Sequence, residues 1–262
     1  MKITELFKVE GKVAVVTGGS RGIGRMIAEG LVSNGVRVYI TARKADACDA
    51  TAAELSEIGE CISIPGDMST EEGVTAFAAA VSEREDQLDI LVNNAGAVWG
   101  APIGEFPDEG FDKVLAINVK APFMLTQALL PLLKASGSAE DPARVINIGS
   151  IDGRRVPDTP NYSYSASKAG IHMLTRHMAH HLVHEDITFN AIAPGPFESK
   201  MMAYALDNPE TRKAIEGVVP RGRIGSPEDV AGTVLYLSSR AGAYLTGAII
   251  PVDGGISTHG SG

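Results

Sequence analysis

The chain has few of the residues that staple, anchor or steer a protein. Of its 262 residues only two are cysteine, Cys48 and Cys61, and one is tryptophan. Two cysteines cannot build a disulfide framework, which excludes a small secreted scaffold and leads to the expectation of a reduced, cytoplasmic protein. The opening MKITELFKVEGK has no apolar h-region of the kind a signal peptide needs. No apolar run reaches the roughly 20 residues of a membrane-spanning helix, because glycines and charges interrupt each one. No membrane association is expected. Basic runs are also missing, and the formal charge is −9. Such a field repels a phosphate backbone, which argues against a nucleic-acid partner.

What is present is ordinary globular composition, 44% hydrophobic, 21% charged and 5% aromatic, enough for one substantial core. Short β-branched runs recur along it: KVAVVT from Lys12, VRVYIT from Val36, CISIP from Cys61, LDILVN from Leu88, RVINIG from Arg144, ITFNAIAP from Ile187 and AIIPVDG from Ala248. Each reads as a buried parallel strand. Helical patterns lie between them at 23–33, 45–58, 70–85, 111–134, 164–184 and 227–240, with Ser69 and Ser226 as expected N-caps and Pro227 at a first helical position. This alternation predicts an α/β protein: a single-domain Rossmann fold over residues 1–262, its doubly wound seven-stranded parallel sheet covered by helices on both faces. Residues 197–222 break the rhythm. They read as a short lid at a strand's carboxyl end, with Phe197, Met201, Met202 and Tyr204 as an adaptable apolar lining, or else as a surface loop without function. The closing STHGSG reads as a frayed end.

TGGSRGIG, Thr17 to Gly24, follows the first strand and opens the first helix. Gly18 and Gly22 let the chain turn against a pyrophosphate, Gly24 permits close packing, and the helix N-terminus supplies amide donors. The second strand ends in TARK, Thr41 to Lys44, where a binder of NAD typically places a carboxylate. Arg43 and Arg21 together suit a 2′-phosphate, so NADP(H) is expected over NAD(H). Asp67, past the third strand, is placed for an adenine amino group, and Asn93, Asn94, Ala95 and Gly96 give a polar, small, flexible turn after the fourth.

TGGSRGIG, NNAG at Asn93 to Gly96, Asn118, Ser150, Tyr164 with Lys168, and Pro194-Gly195 together resemble, in order and spacing, the short-chain dehydrogenase/reductase family over essentially the whole chain. Within that family the sequence is similar to the 3-oxoacyl reductase group. Tyr164 and Lys168, four apart, share one helix face, whereas Tyr162 has no lysine at that spacing and is expected to pack or line a pocket. The resemblance makes Tyr164 the general acid that protonates a carbonyl oxygen as hydride arrives, and Ser150 a donor to that same oxygen. It makes Lys168 the cation that lowers the tyrosine pKa and binds the nicotinamide ribose, and Asn118 the holder of a relay water. It further implies cofactor contacts from Ser20, Ile23 and Met68 beside the residues above, and from Tyr164, Lys168, Pro194, Gly195, Phe197 and Ser199. Ser199 stands where the family usually has threonine.

Five of six histidines crowd one helix, at 172, 177, 180, 181 and 184. His177 with His181 and His180 with His184 have metal-ligand spacing, but no carboxylate sits between them as in an HExxH arrangement and no metal is expected. By resemblance this helix and the one at 111–134 form a subunit interface in a homotetramer, where histidine protonation would make assembly acid-sensitive. Asp141 and Glu185 occupy the places where fatty-acid reductases of the family put basic residues to meet an acidic carrier. Acyl carrier protein is therefore a doubtful partner, and a free ketone or coenzyme A thioester is at least as suitable. The reading is an NADP(H)-dependent reduction of a ketone to a secondary alcohol, the substrate being a small carbonyl compound or a 3-oxoacyl thioester. A sugar or polyol dehydrogenase of the gluconate 5-dehydrogenase type stays open, as does a nucleotide-sensing regulator without turnover, against which the intact Ser150, Tyr164, Lys168 and Asn118 set argues.

Overall fold

In the computed structural model, residues 2–199, 202 and 207–258 are described. After one helical turn at Ile3–Leu6 the chain alternates strand and helix: β1 (Val13–Thr17), α1 (Gly22–Val32), β2 (Arg37–Thr41), α2 (Ala45–Leu55), β3 (Cys61–Ser63), α3 (Glu71–Ser82) and β4 (Ile90–Asn93). Helices α4 (Asp108–Leu115), α5 (Ala121–Ala128) and α6 (Leu130–Ser136) then lead to β5 (Ala143–Ile148), α7 (Tyr162–Leu182) and β6 (Ile187–Pro194). Finally come α8 (Pro209–Val218), α9 (Pro227–Ser238) and β7 (Ile249–Val252). Among the described residues the strands form one seven-stranded sheet in the order β3-β2-β1-β4-β5-β6-β7, every pair parallel.

The strands are continuous apolar runs because both of their faces are covered. Along β1, Ala14 and Val16 join a core with Ile27 and Leu31 of α1, Cys48 of α2, and Val230 and Val234 of α9. Val13 and Val15 point the other way, into a core with Phe77 of α3, Leu125 of α5 and Met178 of α7. The period-2 alternation of a strand thus feeds two separate helix layers. The order of connection reverses between the parallel neighbours β1 and β4, and the crevice at the carboxyl ends of these strands is where such sheets take ligands. Among the described residues no single helix is long and apolar enough to cross a membrane.

Two local expectations are corrected. The cap of α3 is Thr70, whose hydroxyl accepts from Gly73 N at 3.0 Å, while the Ser69 hydroxyl donates to Asp67 Oδ1 at 2.7 Å. Ser226 does cap α9, in a box closed by Asp229. The single helix expected at 111–134 is instead interrupted twice. A π turn occupies Ala116–Lys120, and the axis bends by 60° between Ala128 and Leu130, where Pro131 follows in the first turn of α6. Proline cannot donate to the turn before it and clashes with it, so the helix restarts in a new direction.

One buried cation fixes how α9 sits on the sheet. Arg144, 1% exposed at the start of β5, donates from Nε to Leu237 O at 2.8 Å and from Nη2 to Ser239 O at 3.0 Å, and pairs with Asp141 at 2.9 Å. It satisfies carbonyls at the α9 C-terminus that have no intrahelical partner. Arg144→Met is expected to lower unfolding free energy by about 3–5 kcal/mol in urea denaturation, because those acceptors and Asp141 lose their buried donor. A loss below about 1 kcal/mol would contradict this role.

Candidate active site

At the end of β1, Thr17 Oγ1 accepts from both Asn94 N and Ala95 N at 2.9 Å. Asn94 Nδ2 donates back to Thr17 O at 2.8 Å and Gly18 O at 3.3 Å, so the turn after β4 is stitched to the glycine turn. Gly18 and Gly22 have φ of 66° and 53°, a left-handed backbone that side chains resist. A Cβ at Gly24 would press into the Gly18 carbonyl and the Asn94 amide. Helix α1 starts at Gly22 with no side-chain cap bond from Arg21, which leaves its first amides for an external acceptor. Arg21 and Arg43 are exposed, and among the described residues neither is held in an ion pair. These features fit the pyrophosphate and 2′-phosphate of a dinucleotide. Burial pulls the Asp67 carboxyl upward, but hydrogen bonds from Ser69 and the nearby charge of Arg43 outweigh it and hold the group below the ordinary carboxylate range. Asp67 is thus an ionised acceptor beside Arg43.

The second cluster lies at the end of β5. Ser150, 7% exposed, has extended backbone, and its Oγ accepts from Asp152 N at 3.1 Å. Tyr164 and Lys168, one turn apart on α7, face it: Lys168 Nζ lies 5.5 Å from the Tyr164 ring centroid and donates to Ile148 O at 2.8 Å. The sequence leads one to expect a tyrosine acidified by this cation. The structure differs: burial pushes the Tyr164 phenol up to about 12, a hydrogen bond with Ser150 opposes it, and the charge of Asp152 adds to the rise. Burial also brings Lys168 down to about 8. Desolvation dominates because Lys168 is buried and Tyr164 half-buried, where water solvates their charged forms less well. The phenol is therefore protonated at neutral pH, as a proton donor must be.

Asn118 lies in the π turn, a distortion that recurs at functional sites. Its Oδ1 accepts from Ala97 N, and its Nδ2 donates to Ala97 O and Ser167 Oγ, each at 2.9 Å. Its side chain clips the β4 turn to α7 and is largely spent on that contact. Gly96 sits where a side chain would press on Asn118 Oδ1 and approach Lys168 Nζ. The Asn93 side chain, expected to reach a cofactor, points into the sheet layer and donates to Asn147 Oδ1 at 2.9 Å, and Asn147 donates to Thr175 Oγ1 at 2.9 Å. It is a buried cross-link. Thr17, Asn94, Asn147 and Thr175 are the positioning residues that the motif reading passed over or left without a role.

The remaining expected residues group around these two clusters. Ser20 lends its carbonyl to Thr51 Oγ1, and Ile23 packs on the core under the glycine turn. Met68, Asn93 and Ala95 line a small crevice with Thr17. Pro194 ends β6, Gly195 lies against Asp253, and Ser199 comes against Gly22. Phe197, expected in the lid lining, is 2% exposed and stacks on Gly225 in the core, since glycine leaves the ring room there. Met201 and Tyr204 lie outside the described residues, as does part of the closing STHGSG. Tyr162 packs edge-on to Phe106, as expected. A cavity of about 440 Å³ opens between Phe197, Arg221, Arg223 and Asp253, but none of Ser150, Tyr164 and Lys168 lines it, so it is a neighbour of the chemistry rather than its seat. Of the helix histidines, 177, 180, 181 and 184 are exposed and 172 is buried.

A parallel doubly wound sheet with an uncapped glycine turn at its switch point and a Ser-Tyr-Lys cluster across the crevice defines a dinucleotide-binding protein built for proton transfer. The chain belongs to the short-chain dehydrogenase/reductase family. A family profile described as "Enoyl-(Acyl carrier protein) reductase" matches residues 18–257. The chain is 49% identical over 249 residues to the rhamnolipids biosynthesis 3-oxoacyl-[acyl-carrier-protein] reductase of Pseudomonas aeruginosa, covering 95% of this chain and 97% of that one. Its structure matches that of a Pseudomonas aeruginosa RhlG/NADP active-site complex with a TM-score of 0.94 at 48% identity, covering 97% of this chain and 99% of the other. A structure described as a "putative NAD(P) dependent gluconate 5-dehydrogenase" from Beutenbergia cavernae, with NADP bound at low occupancy, matches at a TM-score of 0.89 and 30% identity, covering 97% of this chain and 100% of the other.

Proposed function

We propose that this protein is an NADP(H)-dependent oxidoreductase that reduces a ketone to a secondary alcohol, with a 3-oxoacyl thioester as its substrate class. The observation that carries the reading is the convergence of Ser150, Tyr164 and Lys168 beside a glycine turn flanked by two uncommitted arginines. The amides of α1 would hold the pyrophosphate, Arg21 and Arg43 the 2′-phosphate, Asp67 the adenine, Lys168 the nicotinamide ribose, and Ser199, which lies against Gly22, the carboxamide. Bound NADPH supplies the hydride. Ser150 donates a hydrogen bond to the substrate carbonyl oxygen, and Tyr164 hands that oxygen its proton as negative charge develops. Lys168 then faces the resulting tyrosinate with its positive charge, and Asn118 fixes the turn through which a water can return a proton to the lysine. The described residues 207–222, which carry α8, lie within the stretch expected as a lid and would cover the substrate.

The Lys168 role has a pH signature. Its folded-state value near 8 lies below its ordinary one, so the charge is lost as pH rises through about 8. The kcat/KM for reduction is expected to fall above that pH, since a neutral amine no longer stabilises the tyrosinate. Between about pH 8 and the ordinary lysine range the unfolded chain binds more protons than the folded one. Stability from this residue therefore rises with pH in that window. A pH-rate profile flat from about pH 7 to 10 would contradict the assignment.

Carrier-bound acyl groups are the less favoured form of substrate. Asp141 bridges Lys12 and Arg144, Glu185 pairs with Lys134 at 2.6 Å, and the chain is strongly acidic. Relative kcat/KM values on 3-oxoacyl coenzyme A, the same acyl group on carrier protein, and keto-gluconates separate the choices. Preference for the keto-gluconates would move the protein to the gluconate dehydrogenase type. We place it in the reducing cytoplasm, in keeping with two free, buried cysteines. Assembly as a homotetramer is favoured by exposed Phe123, Met173 and Val183 on α5, α7 and the turn after it, and by the half-exposed apolar edge strand β7. Sedimentation of the purified protein tests it.

A further inference from the structure

We propose that His172 is a positioning residue that sets where Ser150 stands relative to Tyr164 and Lys168. It lies four residues past Lys168 and eight past Tyr164, on the same face of α7, and is 5% exposed. Its imidazole lies directly on Gly149, the residue before Ser150: a Cβ at 149 would overlap both Nε2 and Cδ2 of the ring. Gly149 N in turn donates to Ile192 O at 2.7 Å, so the imidazole is wedged between α7 and the joined ends of β5 and β6. Four residues on, Gly153 meets the same helix, where a Cβ would fall 2.5 Å from the Lys168 carbonyl carbon and 2.7 Å from Ala169 N.

The corner that carries Ser150 is thus pinned to α7 at both ends, by a glycine under His172 and a glycine on the Lys168 backbone. Because Tyr164 and Lys168 belong to that helix, the two contacts fix the serine against both. Among the described residues Nε2 has no hydrogen-bond partner, so on that side the ring acts by shape. Its surroundings keep it neutral: burial, then Lys168, Arg154 and Arg176, hold it near 4, with a backbone bond at Gly153 opposing. A flat, uncharged ring fills the slot without adding a second cation beside Lys168. The mechanism of proton transfer does not use this histidine.

The inference rests on Ser150 as the donor to the carbonyl oxygen, and its test is separable from that reading. Ser150→Ala with full activity would remove the reading itself. His172→Ala is expected to lower kcat on the order of ten- to a hundredfold, the effect of a small misplacement of a reacting group. NADPH affinity, measured by fluorescence titration, should stay within about twofold, because the glycine turn is untouched. Gly149→Ala is expected to be impaired by overlap with the ring, and His172→Ala in that background to restore activity toward the His172→Ala level. Independent losses that multiply in the double variant would overturn the proposal. So would a His172→Ala protein with a lowered melting temperature and unchanged kcat. If Gly149→Ala does not fold, the His172→Ala kcat together with recovery of folded protein in the double variant decides the matter in the same sense.

Discussion

Replacing Tyr164 with phenylalanine is expected to lower kcat for ketone reduction by about 10²–10⁴-fold while leaving NADPH binding nearly unchanged. The ring keeps its packing; only the hydroxyl is lost. The structure brings that hydroxyl together with Ser150 and Lys168, and its pKa, pushed up to about 12 by burial, keeps it protonated before reduction begins. Lys168, near 8, is charged at neutral pH and meets the developing tyrosinate. Ser150→Ala should cost less, since Ser150 donates one hydrogen bond but no proton. Single-turnover kinetics with fluorescence-measured NADPH affinity separate the two effects. A Tyr164→Phe enzyme within about threefold of wild type would mean that the proton comes from elsewhere.

Removing both Arg21 and Arg43 should reverse or abolish the preference for NADPH over NADH, raising KM for NADPH by about 10²-fold with little change for NADH. Charge-assisted hydrogen bonds to a phosphate contribute about 1.5–3 kcal/mol each. Both guanidiniums are exposed, so the low end applies, and two such contacts give about 3 kcal/mol. Single substitutions should divide the loss. An undiminished NADPH preference in the double alanine variant would place 2′-phosphate recognition on other residues.

The sheet and its helices were legible because burial on both faces writes each strand as an unbroken β-branched run, and the glycine turn declares itself by its place between Val16 and Ile23. Tyr164, Lys168 and Ser150 were legible as a set because helix spacing and a strand end locate them. The π turn at Ala116–Lys120 was not, since AINVK has nothing to distinguish it from ordinary helix; what widens the turn is a tertiary clip, Asn118 on Ala97 and Ser167. Asn93 and Asn94 looked equivalent. Only the register with β5, Asn93 opposite Asn147, shows that one side chain serves the interior and the other the glycine turn. The direction of the Tyr164 shift also escaped, because spacing reveals a neighbouring cation but not the partial burial that disfavours the phenolate. His172 was hidden among five histidines, although its spacing from Lys168 was the available signal.

The most direct test of the account is NADPH oxidation by the purified protein on acetoacetyl-coenzyme A, followed by absorbance beside an equal concentration of NADH and with Tyr164→Phe as control. The account predicts turnover with NADPH, much less with NADH, and none above background in the variant. Tight NADPH binding with no turnover on this thioester or on any other ketone would contradict it, leaving a nucleotide-binding protein that does not perform the reaction.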